Sequence, residues 1–206
     1  MRSASNPPLA RLKFPLLALG MAGLLGGCIS HEVKFQDVNY AIKPNVAANA
    51  SPSSVVAVIS DATLAKEVPI SSWMVGIANR WNVEPGQMMK DVVLIEFPQQ
   101  FPDFRLESDY VEPKGARALT VVLTIPSYEF ADFHASVTVH AAAFGVGRRT
   151  LLDKDYTAQG FKQGAKMFFG GAFAMKSALR QSSLDAYKKI FVDLRPDLQK
   201  ALDALP

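Results

Sequence analysis

The chain has 206 residues, 22 Lys and Arg against 19 Asp and Glu, and a formal net charge of +3. That length admits one domain with a proper core, and a single cysteine excludes an intramolecular disulfide. The positive balance is local: Arg2, Arg11 and Lys13 precede residue 28 and no acidic residue does, so 22 less these three leaves 19 basic against 19 acidic residues. A neutral remainder removes the basis for a nucleic-acid partner.

Those basic residues lead into an apolar run from Phe14 to about Leu25, which ends in Gly26, Gly27 and Cys28. A positive start, a short apolar stretch and small residues at a cleavage point make a secretory signal. At about a dozen residues the run falls short of the about 20 that a membrane-spanning helix needs. Leu25-Gly26-Gly27-Cys28 resembles the lipobox of bacterial lipoproteins, in which the cysteine thiol takes a lipid and cleavage falls just before it. The resemblance implies a signal peptide over 1–27, lipidation at Cys28 and attachment to a membrane through acyl chains, several of which hold far better than one. In such proteins an aspartate after the cysteine favours the inner membrane. Ile29 and Ser30 therefore imply an outer-membrane, periplasm-facing protein. Lipidation also accounts for a lone cysteine in an oxidising compartment.

Residues 28–52 read as a tether. From Lys34 to Ser54 the chain carries Pro44, Pro52, Asn45, Asn49, Ser51 and a run of alanines, with room for a short strand at Val33 to Ile42. One folded domain then occupies 53–206. Val55 to Ile59 is a compact β-branched run, the profile of a buried strand. Leu64 to Asn82, broken by Pro69, fits a second strand or an irregular apolar segment, with the strand placed near Ser72 to Ile77. Glu84-Pro85-Gly86 reads as a helix entrance. Met88, Met89, Val92, Val93, Ile95 and Phe97 continue that helix, which is expected to stop before Pro98.

Strands follow at Phe104 to Ser108, at Ala118 to Tyr128 with a bulge or edge at Pro126, and at His134 to Phe144. In the last of these, His134, Ser136, Thr138 and His140 alternate with Ala135, Val137, Val139 and Ala141, so one face meets water and the other the core. Gly145-Val146-Gly147-Arg148 turns the chain into a returning strand, Thr150 to Gln159. After Gly170 and Gly171, the residues Ala172, Met175, Leu179, Ser183, Ala186, Ile190 and Leu194 recur at helical spacing. Pro196 should kink that helix or open a short final one through Leu198, Leu202 and Leu205.

This order predicts an α+β fold, with a mostly antiparallel sheet and helices on one face, including a long C-terminal helix. Over about Ser53 to Leu205 the element order is similar to that of the periplasmic lipoprotein domains of ABC-transport auxiliary proteins and of the Tol and curli-secretion type. That resemblance implies a partner in the envelope rather than a catalytic role.

Residue chemistry points the same way. His134 and His140 share a strand face but stand about 20 Å apart, too far to hold one metal ion, and Asp132 is the only local third ligand. Asp153 with Asp155 and Glu107 with Asp109 each place two carboxylates on one strand face, as an acid/base pair requires, though charges on edge strands commonly discourage aggregation. Ser182 and Ser183 lie mid-helix, without the Gly-x-Ser-x-Gly elbow of a hydrolase. Gly164 to Gly171 lacks the Walker order, and no cofactor or metal is expected.

Met167, Phe168, Phe169 and Phe173 flank Gly170 and Gly171 and are the candidate contact with a partner or membrane. The competing reading buries these side chains under the long helix. The expectation is a non-enzymatic, lipid-anchored accessory protein that binds another envelope component. The alternative is a carrier holding an apolar ligand or lipid among Trp73, Trp81, Phe168 and Phe169.

Overall fold

The computed structural model describes residues 29–33, 53–71 and 79–206, with the backbone alone for 29, 79 and 165–173. In chain order the strands are β1 (Ile29–Val33), β2 (Ser54–Val58), β3 (Val68–Ser71), β4 (Asn79–Val83), β5 (Asp103–Glu107), β6 (Ala118–Ala131), β7 (His134–Phe144) and β8 (Thr150–Gln159). The helices are α1 (Asp61–Leu64), α2 (Pro85–Gln100) and α3 (Gly164–Asp203).

The fold is α+β, and its sheets are mixed. The larger sheet runs β5-β2-β6-β7-β8 and the smaller one β1-β4-β3. β6, β7 and β8 form the expected antiparallel meander, whereas β2 is parallel to both β5 and β6. In the small sheet β1 is parallel and β3 antiparallel to β4. The expected antiparallel pairing is present in β6, β7 and β8, and β2 adds parallel pairing to it. Val55, Val56, Ala57 and Val58 are all buried, and a short run buried on both faces is the mark of a central parallel strand.

One face of the large sheet packs against α2 and α3. Val55, Ala57, Leu119, Val121, Leu123, Val137 and Val139 meet Val92, Val93, Leu179, Tyr187, Phe191 and Leu194 in one continuous core. The β5–β6 connection, 108–117, lies near β6 on the sheet, where the Thr120 hydroxyl donates to the Val111 carbonyl. Glu112 fixes it to the β7–β8 turn by accepting from the Gly147 amide at 2.6 Å, and within the connection it accepts from the Tyr110 hydroxyl at 3.0 Å. These bonds, the amide's first, hold the Glu112 carboxyl below its ordinary range.

Both proline boundaries differ from expectation. α2 runs through Pro98 to Gln100, and the Phe101 amide closes its last turn on the Phe97 carbonyl at 2.8 Å. Phe97 is fully buried, edge-on to Phe101, Phe104 and Phe191. Such a cluster outweighs the local preference against helix before proline. α3 likewise continues through Pro196, since Leu194, Leu198 and Leu202 all have 0% exposure and their burial offsets the hydrogen bond that proline removes. α3 also starts at Gly164 rather than after Gly171, which puts the glycine pair inside the helix.

The bulge expected at Pro126 is present: the β6–β7 register shifts between Thr124 and Ser127. Lys66 Nζ covers it, donating to the Ile125 carbonyl at 2.6 Å. Of the segment read as a tether, Ile29–Val33 pairs as β1, because Val33 finds a place in the core. Residues 34–52, and the strand expected near Ser72 to Ile77, lie outside the described residues.

Candidate functional site

Three regions bear on function. The first is the hydrated face of β7 and β8. Register pairs His140 with Asp155, Ala142 with Asp153 and Thr138 with Thr157. His140 Nδ1 stands 2.8 Å from Asp155 Oδ1, and Nε2 stands 3.6 Å from Asp153 Oδ1. Only the contact with Asp155 is within hydrogen-bond distance; Asp153 stands near enough for charge attraction alone. The two ring nitrogens face different carboxylates, and among the described residues no three His, Cys, Asp or Glu side chains gather to hold a metal ion.

His134 stays apart, its Nδ1 3.3 Å from the Asp132 carbonyl oxygen. Glu107 and Asp109 are exposed, and Asp109 accepts from neighbouring Ser108. Ser182 and Ser183 are fully buried. Ser182 Oγ accepts from the Ala135 amide at 2.8 Å, and Ser183 Oγ lies 2.7 Å from the Tyr128 hydroxyl. Their hydroxyls bind α3 to the sheet, leaving neither in the setting of a nucleophile.

The grouping of His140 with both aspartates is the feature that sequence reading separates into parts. Its signal is the hairpin register, and that register contains an irregularity between Ala143 and Phe144. Counted back from Phe144↔Thr150 without the irregularity, His140 would meet Lys154 instead. One extra residue in β8 exchanges the facing side chain.

The second region is the start of α3. The backbones of Met167, Phe168, Phe169 and Phe173 lie in the helix, and their side chains lie outside the described residues. Around them the chain is firmly tied. Asp132 and Phe133 turn β6 into β7 with φ of 47° and 62°, a left-handed conformation that non-glycine residues adopt at a cost. The Gln163 amide donates to the Phe133 carbonyl at 2.9 Å, which holds the turn against the helix start. Next to it Phe161 is 65% exposed, with Lys189 Nζ 4.5 Å above its ring.

The third region is the small sheet. Cys28 lies just outside the described residues and Ile29 begins β1. His31 stacks on Trp81 with ring centroids 5.8 Å apart, and Trp81 is fully buried. Trp81 thus belongs to the core. Trp73 and the side chains of Phe168 and Phe169, its companions in the carrier reading, lie outside the described residues. His31 Nε2 and Trp81 Nε1 are buried with no hydrogen-bond partner among the described residues, a costly arrangement for both groups.

No protein-family model matches the chain, and no curated protein matches it. Among solved structures it is similar to the hypothetical protein CT253 from Chlamydia trachomatis, with a TM-score of 0.38 and 9% identity. The alignment covers 74% of this chain and 99% of that one.

Proposed function

We propose that the chain is a lipid-anchored, non-enzymatic accessory protein of the bacterial envelope, held at the periplasmic side of the outer membrane and binding another envelope component. The observation that carries this reading is Leu25-Gly26-Gly27-Cys28 at the end of a short apolar run preceded only by basic charge. Among the described residues no helix is long and apolar enough to cross a membrane. Met167, Phe168, Phe169 and Phe173 remain the proposed contact with the partner, which lies in transport, secretion or envelope maintenance.

Growth with labelled palmitate tests the anchor. The wild-type protein should carry label and sediment with outer membranes, whereas Cys28→Ser should remain unprocessed and unlabelled. Equal labelling of both would remove the anchor reading. A photocrosslinker at position 169 tests the contact, with one at exposed Lys188 as control. The proposal expects one adduct with an envelope protein from position 169 alone; identical patterns from both positions would dismiss those residues as the contact.

A further inference from the structure

Resting on the reading of Cys28 as lipidated, we infer that the anchor has no free spacer: one end of the β1-β4-β3 sheet sits directly in the headgroup layer of the bilayer holding the acyl chains. Ile29, the residue after Cys28, is already the first residue of β1. β1 is joined to the body of the domain, for Val33 is fully buried and His31 stacks on core residue Trp81. β1 pairs with β4 from Ile29↔Asn79 to Val33↔Val83, and β3 pairs with the same strand from Val68↔Val83 to Ser71↔Arg80. Ile29, Ser71 and Asn79 therefore share one end of the sheet, the end at which Cys28 adjoins Ile29 in sequence, while Val33, Val68 and Val83 mark the other.

The distances suit a headgroup layer. A bilayer is about 30 Å thick in its hydrocarbon and about 40–45 Å overall, which leaves about 5–8 Å of headgroup on each side. At about 3.3 Å per residue, Ser30 lies about 7 Å beyond Cys28 along the strand. Its partner across the ladder is Arg80, which is exposed. A guanidinium at that depth meets lipid phosphates, which it can bind with two parallel hydrogen bonds.

Depth measurement on the full lipidated protein in phosphatidylethanolamine–phosphatidylglycerol vesicles tests this. Lipidation consumes the only thiol, so Ser71→Cys or Glu67→Cys accepts a single nitroxide label. Position 71 should be shielded from an aqueous nickel relaxant and accessible to oxygen, and position 67, about 14 Å further along the strand, should behave as in water. Inserting about ten Gly and Ser residues between Cys28 and Ile29 should make both positions aqueous. Arg80→Glu should weaken the shielding at position 71, and Arg80→Lys should largely keep it. Equal aqueous exposure of both positions, with mass spectrometry showing an acylated Cys28, would overturn this inference and leave the anchor standing. An unmodified Cys28 would overturn both.

Discussion

Gly160 follows β8 and faces α3 so closely that an added Cβ would stand 1.9 Å from the Ser182 carbonyl oxygen, 2.5 Å from its carbon and 2.4 Å from its Oγ. Ordinary contact begins at 3.4 Å, so Gly160→Ala must part the two backbones by about 1.5 Å. α3 cannot yield cheaply, because Leu179, Ala186 and Tyr187 on either side of Ser182 are all fully buried. The same movement strains the bonds from the Gly160 amide to the Ala135 carbonyl and from the Ala135 amide to Ser182 Oγ, each 2.8 Å. Overpacking at the upper end of its usual range, about 3 kcal/mol, and partial loss of one hydrogen bond, about 1 kcal/mol, suggest a cost of about 3–4 kcal/mol. For a domain of this size that lowers Tm by about 6–16 °C. Urea unfolding of the chain lacking its signal and carrying Cys28→Ser would measure it. Gly164→Ala is the control, since its Cβ would meet Phe133 at an ordinary 3.5 Å and gains about 0.5–1 kcal/mol of helix propensity. A loss below about 1 kcal/mol for Gly160→Ala would refute the close approach of β8's end to α3.

Ser183→Ala strands the buried Tyr128 hydroxyl, whose ionisation burial already pushes up, and should cost about 1–3 kcal/mol. The double variant with Tyr128→Phe should recover part of that loss in the same unfolding assay. Asp197 is held well below its ordinary carboxylate range by hydrogen bonds from Lys154, then Tyr156 and Lys200. A lowered folded pKa stabilises above the unfolded value and is lost as pH falls, so the deficit of Asp197→Asn should be full above about pH 5 and shrink below about pH 4 in thermal melts. Burial raises Asp91, with nearby Lys90 opposing. Asp91→Asn should therefore raise Tm at neutral pH and lose that advantage in acid, where the native carboxyl is itself neutral.

The meander was legible because its signals are local. β7 alternates half-exposed His134, Ser136, Thr138 and His140 with buried Ala135, Val137, Val139 and Ala141, and a period of two is readable one residue at a time. Pro126 announced its bulge for the same reason. The identity of β2's partners carries no such local mark, since Ser54 must find both Asp103 and Ala118, partners set by chain crossings rather than by neighbours. Pro98 and Pro196 misled in the opposite direction. Each gives a true local signal against helix, but burial of Phe97 and of Leu194, Leu198 and Leu202 is decided by contacts that the local sequence does not display.

The same distinction governs which functional residues could be found. The proposed lipidation at Cys28 rests on a linear signal, Leu25-Gly26-Gly27-Cys28, which is readable without any fold. A binding face depends on which side chains share a surface, and here a single residue can reassign one. The irregularity beside Leu151 brings Asp155 rather than Lys154 opposite His140, so deleting Leu151 would set a cation where an ion pair now stands. Such a variant should separate its effects by place: the β7–β8 edge would lose His140's carboxylate partners, while the proposed membrane attachment through Cys28 would be unchanged. Loss of both together would mean that the anchor depends on the folded state of a sheet edge far along the chain, which a linear signal does not allow.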